Sequence, residues 1–507
     1  MQDATPWLVE RATGPLPLFD TAATRAVEAQ AQAACPAHAL MARAGLATAR
    51  LALAVAPHAR HVTVLAGPGN NGGDGLIAAL HLHRQGRRVR VLHLADAQRL
   101  PPDAADAWRQ ARMAPIDWLT PGADLRGEDL LIDALLGVGG TRAPEGPIAD
   151  AVTQANASGA PILAVDLPTG LHADSGRRLG DALVQARWTL SLLTLKPGLL
   201  TADGRDACGQ LWCDALGVTP DTPAAAWLGA VRHAAPGAFA ARRHGQHKGS
   251  FGDVVVIGGA PGMQGAAALA AHAALVGGAG RVYLSPLDPD ARALPSAELM
   301  LRPRAWEDAG RLPTQTVVCG CGGGKAVAGA LPDLLAQAGR LVLDADALNT
   351  IAADAALQRV LRQRHAAGRA TVLTPHPLEA ARLLGADTAA VQHDRLHAAT
   401  RLADATQAAV LLKGSGSVLA APGRVPWING SGCARLATPG SGDVLAGWIG
   451  AALSRQSASG MEAAWLAARD AAWLHGHAAD RAPLSMHLPV PAMALIDAMA
   501  AAAPGQR

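Results

Sequence analysis

Aromatic side chains are scarce in this chain of 507 residues: Phe, Trp and Tyr together make up 3% of it. A core built almost without rings must come from Ala, Leu and Val, and 55 Gly point to close backbone approaches, a composition that suits α/β sheets crossed by Ala-rich helices. Cysteine is sparse as well. Cys35, Cys208, Cys213, Cys319, Cys321 and Cys433 form no C-x-x-C pair, which argues against a disulfide framework and a structural zinc site and makes a reducing cytoplasm the simplest compartment. Neither charge sign dominates: 44 Lys plus Arg against 41 Asp plus Glu leave +3, too weak a field to mark a nucleic-acid partner. The most apolar stretch, 266–280, contains His272, stops before Arg281 and falls short of the about 20 residues that a membrane span needs. Residues 1–14 carry Asp3 and Glu10 and no apolar run, so a secretory signal is not expected.

What is present is a large apolar fraction, 50%, against 17% charged residues, enough for sizeable cores. At roughly 150 residues per domain, the length predicts two large or three ordinary domains. From 18 to 57 the apolar spacing is helical, and then the period changes. HVTVLAG (61–67) reads as a strand, GPGNNGGDG (67–75) as a loop, LIAALHLHRQG (76–86) as a helix and RVRVLHL (88–94) as a strand: a βαβ unit. Further strands are expected at 129–137, 161–170 and 187–196, making a parallel sheet covered on both faces. Residues 217–249, rich in Pro, Gly and basic side chains, read as a linker. A second alternation follows, with strands expected at 252–259, 281–287, 316–320, 340–346, 370–377 and 409–420. The expectation is two different α/β domains, 1–229 and 230–507.

In the first domain the Gly-rich loop matches a dinucleotide fingerprint through Gly67, Gly69 and Gly72, with Asp96 placed as a ribose ligand. Asn70, Asn71 and Asp74 make it a polar pocket; the alternative is an ordinary turn in which Asn and Asp support left-handed backbone. Asp133 and Asp166 stand at strand ends, where carboxyl termini of a parallel sheet converge, and with Asn71 and Thr169 they form a hard-oxygen set suited to a hard cation. Helix capping is the alternative for each Asp. In the second domain, residues 247–282 put a Gly-rich turn after a buried strand and open an Ala-rich helix, a geometry that presents N–H groups to an anion. LLKGSGSVLA (411–420) and LATPGSGDVLAGWIGA (436–451) add an anion-holding turn at 440–442 with Asp443 beside it as a base. Against this, Asp443 can be a helix N-cap, Lys413 a solvated surface charge and His376, between Pro375 and Pro377, a structural residue.

The ordered segments GPGNNGGDG, DALLGVGGTRAPEG (133–146), VDLPTG (165–170) and TLKPGLLTADGRDACG (194–209) resemble the NAD(P)H-hydrate epimerase domain over most of 15–215. Segments of the second half, LDADALN (343–349) and TPHPLEAARLL (374–384) among them, resemble the ADP-dependent NAD(P)H-hydrate dehydratase over roughly 235–500, and the fusion resembles the bifunctional repair enzymes of bacteria. The resemblance implies a Rossmann-like three-layer domain followed by a ribokinase-like three-layer domain. It implies that Asn70, Asn71, Gly72, Gly73 and Asp74, with Gly137, Val138, Gly139, Gly140, Thr141, Arg142 and Ala143, hold the damaged nicotinamide. Asp166 would be the acid/base residue, and Asn71, Asp133 and Thr169 would ligate K+. In the second domain Lys413, Gly414, Ser415, Gly416, Ser417 and Gly442 would contact the adenine nucleotide, supplied as ADP with Mg2+. Ala266, Gly322, His376 and Asp443 would contact the hydrate, with Asp443 catalytic. The chain has Thr169 where the family commonly has Ser and Cys321 where Pro is usual, and it departs also at Cys433, Arg435 and Pro439. The substrates implied are NADH and NADPH hydrates, and a homo-oligomer is expected. A kinase of a small alcohol and a non-catalytic nucleotide sensor are the rival readings.

Overall fold

A computed structural model describes residues 5–229, 242–291, 296–483, 485 and 487–503. The chain divides into two compact units, Met1–Trp227 and Leu228–Arg507. Of the linker expected at 217–249, residues 230–241 lie outside the described ones.

In the first unit the strands run in the order Trp7–Leu8, Gln210–Asp214, Trp188–Leu192, Ile162–Val165, Leu130–Ala134, His61–Ala66, Arg88–His93, Asp117–Leu119. All neighbours are parallel except the first pair. Side-chain alternation divides the core: Val62 and Val64 pack with Met41, Leu51 and Leu80 of two helices, Ala39–Val55 and Asn70–Arg84, while Leu65 packs with Val152 of Gly146–Ala157 on the other face. Burial on both faces explains why these strands read as continuous apolar runs.

In this unit the Gly-rich loop differs from its expectation. The loop foreseen over 67–75 ends at Gly69, and Asn70–Arg84 is helix throughout. The glycines are there for packing: a Cβ on Gly72 would lie 2.1 Å from the Gly67 carbonyl oxygen, and one on Gly75 2.5 Å from Ala134 Cβ. Propensity alone marks such a run as a turn; close seating of the helix on the sheet overrides it.

The sheet of the second unit runs Met300–Leu301, Arg281–Pro286, Asp253–Gly258, Thr316–Cys319, Arg340–Leu343, Ala370–Leu373, Ala409–Leu412, Val418–Ala420, Trp427–Ile428. It is parallel as far as Ala409–Leu412 and antiparallel beyond. Val254 and Val256 pack against Gln264–Val276, Ser441–Ser454 and Gly460–Arg481; Val255 and Ile257 face the opposite core, with Leu334, Leu348 and Leu402. The single strand expected over 409–420 is instead a hairpin, with Leu412 opposite Val418 and a turn in which Gly414 and Gly416 have φ of 136° and 60°. Only glycine adopts such backbone freely, so the glycines around Lys413 fold the strand back.

Candidate functional site

The first site is a cavity of about 710 Å³ within the first unit, above the carboxyl ends of its central strands. Asn70, Asn71 and Asp74 line it from the first turns of their helix, and Gly137, Val138, Gly139, Gly140, Thr141, Arg142 and Ala143 line it from the loop after Leu130–Ala134. Gly72 and Gly73 do not line it: a Cβ on Gly73 would meet Met41 Cε at 2.5 Å. Asp96 does not line it either; it caps the short helix Ala97–Arg99 by accepting from the Gln98 N–H at 3.0 Å.

Asp166 enters the cavity from just beyond Ile162–Val165 with left-handed backbone, φ 68°, a conformation that costs a non-glycine residue on the order of 1 kcal/mol and is held by the bond of its N–H to Leu190 O at 2.8 Å. Its Oδ1 accepts from the Leu192 N–H at 3.2 Å and from the buried Lys196 ammonium. Asp74 faces the same space without a salt bridge among the described residues. Burial, then the negative charge of Asp166, pushes its carboxyl well above the usual carboxylate range.

Asp133 and Thr169 are buried and do not themselves line the cavity. Thr169 donates its N–H to Asp133 Oδ2 and its hydroxyl to Oδ1, each at 2.8 Å, and its Oγ1 accepts from the Leu136 N–H at 3.0 Å. Burial raises the Asp133 carboxyl to about 6 despite these bonds. Asn71 meets the same loop: its Oδ1 is 3.5 Å from where a Cβ on Gly137 would stand, and both of its side-chain polar atoms are buried without a hydrogen-bond partner. A buried amide oxygen without a partner is a group that a cation would satisfy, and a buried carboxyl raised by desolvation is another.

The second site lies within the second unit, where Ser441–Ser454 begins. Gly440, φ 87°, is the N-cap, so Asp443 is in the first helical turn and does not cap it. Lys413 Nζ donates to Asp344 Oδ1 at 2.7 Å, and a Cβ on Gly442 would be 3.4 Å from that Nζ. Asp443, Asp344 and Cys321 present carboxylate oxygens and a thiol within 4.8 Å of one another. Burial, then Asp344, raises Asp443 to about 6, which suits a base working near neutral pH. Burial keeps the Cys321 thiol well above its ordinary range, so it stays protonated. For Lys413, burial works downward but Asp344 and Glu379 outweigh it, and the ammonium stays charged. Below the turn, buried His475 is lowered to about 4 and is neutral; its Nε2 lies 3.0 Å from Ser441 O, and the Nε2–H tautomer donates there.

Gly322 and Ala266 adjoin: a Cβ on Gly322, φ 58°, would be 3.0 Å from Ala266 Cβ. His376 caps Pro377–Leu384, its Nδ1 accepting from the Leu378 and Glu379 N–H groups, which leaves an exposed Nε2 3.1 Å from Glu379 Oε1. Gly414, Ser415, Gly416 and Ser417 form the hairpin turn directly after Lys413, with Ser417 Oγ donating to Gly414 O at 3.2 Å. Arg435, one of the departures, donates to Ala479 O and Ala482 O at 3.2 and 3.3 Å, anchoring the end of Gly460–Arg481.

Lys196 and Asp344 are the participants that sequence reasoning passed over. Asp344 directly follows the strand Arg340–Leu343, and the strand-end rule that singled out Asp133 and Asp166 selects it equally. Lys196 carried a weaker signal, a lysine among the apolar residues of TLKPG.

Residues 37–198 match the family described as YjeF-related protein N-terminus, and residues 254–500 match NAD(P)H-hydrate dehydratase. The chain is 37% identical over 447 residues to the bifunctional NAD(P)H-hydrate repair enzyme of Escherichia coli (strain K12), covering 82% of this chain and 81% of that one. It is 36% identical over 460 residues to the corresponding enzyme of Moorella thermoacetica, covering 83% of each. Among solved structures, the ADP/ATP-dependent NAD(P)H-hydrate dehydratase from Bacillus subtilis, co-crystallised with ATP and Mg2+, matches at 26% identity and a TM-score of 0.43, covering 52% of this chain and 92% of that one.

Proposed function

The chain belongs to the bifunctional NAD(P)H-hydrate repair enzymes, and from that membership we propose how its own residues divide the work. The protein epimerises the R and S forms of NADH and NADPH hydrate and dehydrates the S form at the expense of ADP, giving the reduced nucleotide, AMP and phosphate. Asp166 is the acid/base residue of the epimerase, and Asn70, Asn71, Asp74 and the loop 137–143 hold the hydrate. Gly72 and Gly73 support this site through packing.

In the dehydratase, Asp443 takes the proton from the hydroxyl of the hydrate as that oxygen attacks the terminal phosphorus of ADP, and AMP leaves. The phosphate ester then departs with its bonding pair while the neighbouring carbon loses a proton, restoring the ring double bond. The N–H groups at 440–442 and the Lys413 ammonium stabilise the charge that develops on the phosphoryl oxygens. Lys413, Gly414, Ser415, Gly416, Ser417 and Gly442 form the nucleotide side of the pocket; Ala266, Gly322 and His376 form the hydrate side. Asp344 holds Lys413 in place. The observation that carries this reading is Asp443, a partly buried carboxyl raised to about 6 in the first turn of a helix beside the Lys413–Asp344 pair.

Asn71, Asp133 and Thr169 would hold K+, supported by the unpartnered Asn71 Oδ1 and the raised Asp133. Bound there, K+ would supply a positive charge, and no cation is among the described groups acting on Asp133. Asp344 and Asp443 offer carboxylate oxygens compatible with Mg2+ arriving with ADP, since that ion keeps much of its own water shell. The test is stoichiometry. One AMP and one phosphate should form per reduced nicotinamide recovered; recovery without AMP would overturn the phosphoryl-transfer reading, and a stable phosphorylated product would favour a kinase.

A further inference from the structure

Beyond Trp188–Leu192 the chain curls back on itself. Leu193 is left-handed at φ 66°, the Thr194 N–H donates to Leu192 O at 2.7 Å, and Ser191 Oγ donates to Thr194 O at 2.8 Å. The curl returns the Lys196 side chain over the strand end, where the residue is 1% exposed. An ammonium has three donors. Here they meet Asp166 Oδ1, Leu192 O at 2.8 Å and Ser191 Oγ at 3.4 Å, so none is left for a substrate although Lys196 borders the cavity. On Asp166 the bonding is one-sided: Oδ1 takes both the Lys196 ammonium and the Leu192 N–H, and Oδ2 has no hydrogen-bond partner among the described residues.

We propose that Lys196 is a positioning residue of the epimerase, fixing Oδ1 with a positive charge so that Oδ2 is the oxygen that exchanges a proton with the hydrate. The proposal rests on the reading of Asp166 as the acid/base residue. At a carbon bearing both a hydroxyl and the ring nitrogen, inversion proceeds as follows. Oδ2 takes the hydroxyl proton, the oxygen forms a carbonyl, and the carbon–nitrogen bonding pair passes to a nitrogen conjugated with the carboxamide. Rotation and reclosure on the other face return the proton from Oδ2, so atoms and charges balance and Asp166 ends as it began.

The surroundings make the lysine necessary. Glu28 of Thr21–Ala34, Asp74 of Asn70–Arg84 and Asp103 of Pro102–Arg112 border the same cavity, and Arg25 is the neighbouring cation on the first of these helices. Burial and the charge of Asp166 raise Glu28 and, much further, Asp74, so excess negative charge is already resisted there. Without Lys196, Asp166 would face these carboxyls with its Oδ1 held by the Leu192 N–H and by no cation.

The test is the pH profile of epimerisation of isolated R hydrate, followed in the full chain by coupling to its own dehydratase in excess ADP and corrected for spontaneous conversion. Lys196→Met should lower kcat at least tenfold at pH 6 and move the acid limb upward by roughly 1–3 pH units, with KM little changed. Lys196→Arg, which keeps the charge, should restore the wild-type limb with a reduced kcat; it also covers the case in which the methionine variant does not fold. An unmoved limb in Lys196→Met, or an arginine variant as impaired as the methionine one, would overturn the proposal. Asp166→Asn separates the layers: if it stays active, the acid/base reading falls and the proposal with it. If it is inactive while Lys196→Met behaves as wild type, only the role of Lys196 falls.

Discussion

Substituting Asp344 by Asn should move the pH dependence of dehydration downward. Asp443 stands at about 6 against an ordinary value of 3.8, a rise of about 2 units or 3 kcal/mol, with burial the largest cause and Asp344 the next. The carboxylate oxygens lie within 4.8 Å of each other. At that distance and an effective dielectric of about 20, two full charges repel by about 3.5 kcal/mol. Lys413, 2.7 Å from Asp344 Oδ1, cancels much of this, so the share removable by the substitution is nearer 1 unit. Asn keeps an oxygen for the Thr374 hydroxyl, now bonded to Asp344 Oδ1 at 2.8 Å, and leaves the Lys413 charge to act on Asp443 and Glu379. Both effects favour the ionised base. Initial rates of ADP-dependent NADH formation from the S hydrate, measured between about pH 5 and 8, should show the acid limb falling from about 6 to about 5, whatever the change in plateau. A limb that stays at 6 or rises would refute the assignment of Asp443 as the base and of Asp344 as its electrostatic neighbour.

Three further outcomes are expected. Because the folded-state value for Asp133 is raised to about 6 above 3.8, the folded state binds the proton more tightly than the unfolded one, and stability from this group is present at low pH and lost as pH rises from about 4 through 6, by up to about 3 kcal/mol. K+ in place of a bulky organic cation should therefore raise the melting temperature more at pH 8 than at pH 5, and Asp133→Asn should abolish the difference; equal effects at both pH values would remove the K+ site. Gly72→Ala drives a Cβ to 2.1 Å from a backbone oxygen, so thermal unfolding should show a loss of roughly 1–3 kcal/mol with epimerase activity lost and dehydratase activity kept. His376→Asn, which can still cap Pro377–Leu384, should leave the melting temperature within a degree or two while raising the KM for hydrate; an unchanged KM would restrict His376 to capping.

Periodicity made both parallel sheets legible because their strands are buried on both faces, so Leu130–Ala134 or Thr316–Cys319 reads as an unbroken apolar run. Two-residue strands such as Met300–Leu301 and Trp427–Ile428 were not legible, since nothing that short carries a period. Glycine misled twice for one reason: at 72–75 it serves helix packing and at 414–416 it turns a hairpin, and the residue type alone does not distinguish a close approach from a turn. At the sites, Asp166 and Asp443 were legible as acidic residues at a strand end and a Gly-rich turn. Their partners Lys196 and Asp344 act by long-range contacts, across 30 and 69 residues of sequence for Lys196–Asp166 and Lys413–Asp344, and only the fold brings them together.

The central claim is that two sites on one chain act in sequence on a mixed pool of hydrates through Asp166 and Asp443. The direct measurement is recovery of reduced-nicotinamide absorbance from an epimeric mixture of NADH hydrate with ADP, Mg2+ and K+, for the wild type, Asp166→Ala and Asp443→Ala. Full recovery is expected in the first, recovery that stops at the S fraction apart from slow spontaneous epimerisation in the second, and none in the third. Full and equally fast recovery in the Asp166 variant, or any sustained recovery in the Asp443 variant, would contradict that claim.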